Sequence, residues 1–422
     1  SDERIELKGD ALKFAARYLS GDRIAAGQKL KPGDVVRITP LLLKDGKDGG
    51  WQIAQLPEVE AAFLALSPAD GKIQALVGGF DFNRNMLNHV TQAWRQPGSA
   101  FKPFVFSAAL EKGFSPGNIV MDTPVTIPAS ETGSSAWTPK NYSGNGEGPM
   151  SLRTALAKSK NIPAVRLIRA ITPAYAQDFS TRFGFDPERQ PPYLTMALGA
   201  GSVTPWQMAS AYAIFANGGY RIQPYVVSEI KNAEGQVLAR AEPVVAGENA
   251  QQVLDPRNAY LMDSMLRDVA IRGTAARASR LLKRHDLAGK TGTTNDYRDA
   301  WFCGFQATAV GCAWLGFDQP KKLGSRETGG VAALPIWIDY MKTALNGVPE
   351  APLNKPQGVV GAYGDLYYTE NVPSFNPNED PTTWLGYEPP EEEILTEDGS
   401  APVGETGDQP HAFDPAQVIA PH

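Results

Sequence analysis

Arg95-Gln96-Pro97-Gly98-Ser99-Ala100-Phe101-Lys102-Pro103-Phe104-Val105-Phe106-Ser107-Ala108 is the stretch around which the rest of the chain is organised. Pro97 and Gly98 read as a turn and the apolar run after them as a helix, so Ser99 stands where a helix begins. Lys102 falls three residues on, on the same helical face, which brings an amine beside a hydroxyl. Pro103 is tolerated because the first turn of a helix has no backbone N–H bond to lose. A serine backed by a lysine is a nucleophile–base arrangement, and a helix N-terminus favours developing negative charge. The S-x-x-K spacing alone is weak, because Ser228-Glu229-Ile230-Lys231 repeats it. That copy reads as a strand entering the turn Asn232-Ala-Glu-Gly235, where positions i and i+3 point to opposite faces. Only the first copy is chemically plausible.

The chain of 422 residues has room for two domains, and 42% hydrophobic with 20% charged residues describes a soluble globular protein. Its net charge of −6 is unevenly spread: none of the 40 Lys and Arg residues lies beyond Lys355, whereas 13 of the 46 acidic residues do. The remainder is mildly basic, which suits an anionic polymer or a carboxylate substrate and equally fits ordinary surface charge. No apolar run approaches the roughly 18 residues of a membrane helix, and Ser1-Asp-Glu-Arg4 is no signal peptide, so an exported protein would be represented here by a trimmed piece. A tight turn at Ala307-Thr308 would pair Cys303 with Cys312 across a hairpin. Free buried thiols are the expected state, and a metal site lacks nearby ligands.

Residues 1–57 read as a small β-rich module, with Asp34–Thr39 and Trp51–Ala54 flanking the turn-rich Lys44–Gly50. Ala61–Leu66 and Lys72–Val77 form a hairpin of central-sheet character across Pro68-Ala-Asp-Gly71. Residues 114–149, rich in Pro, Gly, Ser and Thr, read as a surface excursion. Helical patterns resume at Ser151 and beyond Pro163; Thr204-Pro205-Trp206-Gln207 starts a helix that stops at Asn217-Gly-Gly219, and Asp255-Pro256 opens another that ends near Gly273. Strand texture returns over 288–294, 300–305 and 310–317, and a last helix spans 334–345. Strands at both ends of a helical middle give an α/β fold of the α+β type: an antiparallel sheet flanked by helices, with a largely helical subdomain. Residues 351–422 form a Pro- and Glu-rich extension, expected to be disordered beyond about residue 370.

Two further motifs carry chemistry. Ser159-Lys160-Asn161 lies in a short polar joint between helical segments; its S-x-N pattern recurs at Ser143 and Ser374, and alone Ser159 reads as a helix terminator. Lys290-Thr291-Gly292-Thr293 is the single K-T-G of the chain. On a strand, Lys290 and Gly292 face one way and Thr291 and Thr293 the other, and Gly292 would let a ligand backbone lie against the strand.

In the order S-x-x-K, S-x-N, K-T-G, the set is the signature of serine β-lactamases and penicillin-binding proteins. Gln92–Phe104, Trp137-Thr-Pro-Lys-Asn-Tyr142, Leu152–Arg166 and Gly289–Asp296 resemble the transpeptidase domain of class A (bifunctional) penicillin-binding proteins over residues 58–350. Residues 1–57 resemble part of the small OB-like β domain that precedes it. The resemblance implies that Ser99 attacks the carbonyl between the last two D-alanines of a peptidoglycan stem peptide, giving an acyl-enzyme. Lys102 would take its proton, Ser159 and Asn161 would relay it and hold the substrate amide, and Lys290, Thr291 and Thr293 would bind the terminal carboxylate beside Gly292. Backbone N–H groups of Ser99 and Thr293 would form the oxyanion hole. A lysine serves as base only if its pKa is depressed, which burial and nearby Lys290 could achieve.

The implied partners are stem peptides and β-lactam antibiotics, with no nucleic acid, metal or organic cofactor. The implied location is the periplasmic face of the bacterial inner membrane, with a membrane anchor and glycosyltransferase domain outside this chain. A Ser-His-Asp hydrolase is disfavoured, since two of only four histidines, His411 and His422, lie in the tail and no G-x-S-x-G occurs. A β-lactamase shares the motifs, but no E-x-x-L-N segment of the class A kind is present. A β-lactam-sensing domain is the non-enzyme alternative.

Overall fold

Hydrophobic strands from the two ends of the sequence meet in one five-stranded antiparallel sheet in the computed structural model, which describes residues 4–20, 25, 29–42, 48–144 and 146–388. Strands β1 (Glu60–Leu66) and β2 (Ile73–Val77) form one hairpin; β3 (Ala288–Thr293), β4 (Asp299–Gln306) and β5 (Ala309–Gly316) form a meander. The order is β3-β4-β5-β1-β2, so β3 is an edge and β5 joins the two halves, from Val310↔Leu66 to Gly316↔Glu60.

Helices of the same unit include α1 (Lys102–Glu111), α2 (Leu152–Ala157), α3 (Asn161–Ile171), α4 (Pro205–Ala216), α5 (Pro256–Ile271) and α6 (Leu334–Ala344). On β4, Phe302 stacks edge-on to Trp337 of α6, whose indole N–H donates to the Gly304 carbonyl at 3.1 Å. Trp301 points to the other face and donates to the Gln96 carbonyl at 2.8 Å, tying the sheet to the turn before Ser99. Helix α1 is buried along all but its last residue, because it is apolar on every side. Its Phe104 ring touches those of Phe183, Phe185, Tyr212 and Phe215. The expected start of α4 is a full capping box: Thr204 accepts from the Gln207 N–H at 3.2 Å and Gln207 accepts from the Thr204 N–H at 3.3 Å. Asp255 caps α5 and Ser151 caps α2.

Three expectations are corrected. Cys303 lies directly opposite Cys312 in the β4–β5 register, with Cα atoms 4.2 Å apart, and the two are joined in a disulfide rather than held as thiols. Residues 114–149 are not only a surface excursion. Strand Ile119–Asp122 pairs with Gly148–Ser151, and Val120, Asp122 and Ile127 are buried. The chain also stays ordered past residue 370. Hairpin Val359–Ala362/Asp365–Tyr368 packs Tyr367 and Tyr368 into the protein, and Leu385 exchanges backbone hydrogen bonds with Ile119 and Met121 at 3.0 and 2.9 Å. The rest of the expected disorder, from residue 389 onward, lies outside the described residues.

The chain divides into two compact units at Glu58/Val59. The first carries strands Arg37–Leu42 and Asp48–Ala54, paired antiparallel from Arg37↔Ala54, and the short helices Gly9–Leu12 and Ala16–Ser20.

Candidate active site

Ser99 lies in a 3₁₀ turn, Gly98–Phe101, that runs directly into α1. The turn is anchored on both sides of the serine. Arg95 pairs with Asp299 at 2.7 Å, and the Tyr212 hydroxyl donates to the Ala100 carbonyl at 2.7 Å. The backbone N–H of Lys102 bonds to the Ser99 carbonyl, which leaves the two side chains one turn apart. Glycines set the distance from this turn to strand β3. Gly98 has φ +54°, and a Cβ there would stand 2.6 Å from the Thr293 carbonyl oxygen; a Cβ on Gly292 would stand 2.2 Å from the Pro97 carbonyl oxygen. Gly292 therefore serves close approach of the chain's own Ser99 turn, where the sequence suggests room for a ligand backbone.

Lys102 is fully buried and donates to the carbonyls of Ser159 and Lys160 at 2.7 and 2.8 Å and to Asn161 Oδ1 at 2.8 Å. Those three acceptors suit an ammonium, while burial, joined by repulsion from Lys290, pushes the pKa well below the ordinary lysine value against a weaker pull from Asp122. Lys290 is also fully buried, and burial brings its pKa down to about 7. Its Nζ donates to Ser159 Oγ at 2.8 Å and to the Thr291 carbonyl at 3.0 Å. Ser159 thus joins the two lysines, its carbonyl to one and its hydroxyl to the other.

Ser159 holds that place through an unusual backbone. It has φ +59°, and its N–H bonds to the Leu156 carbonyl while the Lys160 N–H reaches back to that of Ala155. This is a left-handed helix termination in which glycine is the common residue. A serine there costs on the order of 1 kcal/mol of strain. The sequence suggests helix terminator or catalyst as alternatives; the geometry combines a terminator with a hydroxyl bonded to Lys290 and a carbonyl bonded to Lys102.

Thr291 exchanges a hydrogen bond with Thr274 at 2.6 Å, and Thr293 accepts from the Gly329 N–H at 3.0 Å. The hydroxyls of Tyr142 and Tyr297 are 2.7 Å apart and link the loop after Asn141 to the turn after β3. Ser228 and Lys231 lie far along an exposed hairpin, where Lys231 pairs with Glu229 at 2.6 Å. Among the described residues no group of three or more His, Cys, Asp or Glu could hold a metal. A cavity of ≈ 560 Å³ between Phe183, Trp206 and Arg221 is lined by none of the candidate residues.

The sequence reading passed over Asp122, Asn141 and Glu147, which lie in the segment taken for surface. Asn141 accepts from the Asn161 N–H at 2.8 Å, and Asp122 takes a hydrogen bond from Asn141 at 2.6 Å. The Trp137–Tyr142 resemblance was the one signal that could have pointed to them.

Residues 61–333 match the family described as penicillin binding protein transpeptidase domain. The chain belongs to that family. Residues 1–59 match the penicillin-binding protein OB-like domain. Among this family, penicillin-binding protein 1A of Neisseria lactamica is 44% identical over 370 residues, covering 88% of this chain and 45% of that protein. The Pseudomonas aeruginosa penicillin-binding protein 1A is 38% identical and covers 86% of this chain and 52% of its own length. The chain therefore spans about half the length of the curated relatives it matches. The crystal structure of penicillin-binding protein 1A from Haemophilus influenzae superposes with a TM-score of 0.75 at 34% identity, covering 79% of this chain and 56% of that one. PonA1 from Mycobacterium tuberculosis in complex with penicillin V superposes at 0.60 with 27% identity, covering 72% and 82%. This transpeptidase fold is thus an antiparallel sheet with flanking helices, as the sequence pattern implied.

Proposed function

We propose that the chain is a peptidoglycan D,D-transpeptidase unit that cross-links stem peptides through an acyl group on Ser99 and is acylated there by β-lactams. The observation that supports it most is Ser159, held in a left-handed turn between Lys102 and Lys290 beside the serine turn. In this reading neutral Lys102 takes the Ser99 proton as Oγ attacks the penultimate D-alanine carbonyl, and the backbone N–H groups of Ser99 and Thr293 stabilise the oxyanion. The proton passes through Ser159 to the leaving D-alanine nitrogen, and the C–N bond breaks to leave the acyl-enzyme. Asn161 orients the substrate amide, and Lys290, Thr291 and Thr293 hold the terminal carboxylate at the end of β3. An amine of a second stem peptide then attacks the ester and releases Ser99.

A protein of the relatives' length would add the glycosyltransferase domain and membrane anchor of the class A group, with this unit at the periplasmic face of the inner membrane. No helix among the described residues is long and apolar enough to cross a membrane. A disulfide between Cys303 and Cys312 suits that oxidising compartment.

The test is to incubate the chain with a stem-peptide donor ending in D-Ala-D-Ala and an added amine. Release of D-alanine with transfer of the acyl group to the amine, and slow turnover of a chromogenic β-lactam, is the expected result. Rapid β-lactam hydrolysis would reassign the chain as a β-lactamase, and acylation without transfer as a sensor.

A further inference from the structure

Helix α3 begins at Asn161, and its own N-cap residue, Lys160, supplies no side-chain acceptor. The missing cap comes from outside the helix. Asn141 Oδ1 accepts from the N–H groups of Asn161 and Ile162 at 2.8 and 3.3 Å. The neighbouring Lys140 carbonyl accepts from Asn161 Nδ2 at 2.9 Å, which turns Asn161 Oδ1 toward Lys102. The loop at 140–141 thus fixes both the start of the helix and the direction of the amide.

Asn141 is itself oriented by charge. Its Nδ2 donates at 2.6 Å to Asp122, a fully buried carboxylate that can only accept, so the amide cannot flip. The Lys160 amine lies 3.1 Å from Asp122 and 2.7 Å from Glu147. Burial opposes its charge, and the hydrogen bonds to Glu147 and Asp122 outweigh burial and keep its pKa above the ordinary value. A buried ion pair of this kind is weak evidence for stability and better understood as fixing one geometry.

We propose that Asn141 is a positioning residue for acylation at Ser99, oriented by the buried Asp122–Lys160 pair, and that it acts by holding Ser159 and Asn161 against Lys102. This rests on the acyl-transfer reading above. An alanine at 141 leaves two helix N–H groups without a partner and removes one of the donors to Asp122, which keeps Lys160 and the Glu147 N–H. An aspartate there sets a second carboxylate against Asp122, whose charged neighbours are Lys160, Glu147, Lys102 and Arg166. Two carboxylates at that separation resist ionising together, so acid protonates one. The protonated pair restores both the donor to Asp122 and the acceptor for the helix N–H groups.

The experiment compares labelling time courses with a fluorescent penicillin for wild type, Asn141→Ala, Asn141→Asp and Ser99→Ala across pH. Asn141→Ala should lower the acylation rate about tenfold or more, the effect of leaving buried partners unpaired. For Asn141→Asp, the rate relative to wild type should rise toward one as pH falls. An unchanged rate in both variants, a loss equal at every pH for Asn141→Asp, or a fall only in the fraction of protein that can be labelled would overturn the proposal. Absence of labelling in wild type, or its persistence in Ser99→Ala, would instead overturn the acyl-transfer reading.

Discussion

At the scale of single residues, burial makes both Lys102 and Lys290 lose a proton more readily than an exposed lysine. Burial holds Lys290 at a pKa of about 7, so it is charged below that pH and neutral above it. The charged form attracts a carboxylate; the neutral form does not. Acylation by a β-lactam that carries its carboxylate should therefore decline as pH rises through about 7. The same compound with that carboxylate masked as an amide should lack the decline. Acylation rates of both forms across this range test it, and a decline shared by both would remove Lys290 from carboxylate recognition. The stability sign follows from the same depression. Between about 7 and the ordinary 10.5 the unfolded chain binds the proton that folded Lys290 lacks, so this lysine's contribution makes stability rise with pH across that window.

At the scale of elements, the segments that act on the site include ones with no periodic pattern. Strand Ile119–Asp122 carries Asp122 and is paired on one side by Gly148–Ser151 and on the other by Leu385. Asn371 adds a hydrogen bond to the Gly113 carbonyl at 3.1 Å. Deleting residues 371 onward should destabilise the protein by on the order of 2–4 kcal/mol relative to a chain ending at Glu388, from lost backbone bonds and lost burial of Leu385. Denaturant unfolding of the two chains measures the difference. Equal stability would show that the segment only rests on the surface. The expectation that residues beyond about 370 are disordered rests on their lack of an apolar period. A segment that adds one backbone bridge and one leucine leaves no such period to see.

At the scale of the whole molecule, what was legible in the sequence is what repeats or caps. The alternation of Lys290–Thr293, the capping box at Thr204 and the continuous apolar strands report local physics, and each appears in the sheet and helices as expected. The pairing of Cys303 with Cys312 depends on register, which a two-residue turn only suggests. Asp122 and Asn141 were hidden because their roles depend on contacts to residues about 20 to 40 positions away. The glycine of K-T-G was seen, but the group it makes room for, the Pro97 carbonyl, is almost 200 residues distant in sequence.

The central claim is that Ser99 is the acylated nucleophile, and intact-mass analysis after exposure to penicillin, followed by peptide mapping, tests it most directly. The account predicts one adduct per chain, located on Ser99 and absent from Ser99→Ala. An adduct on Ser159 or Ser228, or one that survives the Ser99→Ala substitution, would contradict it.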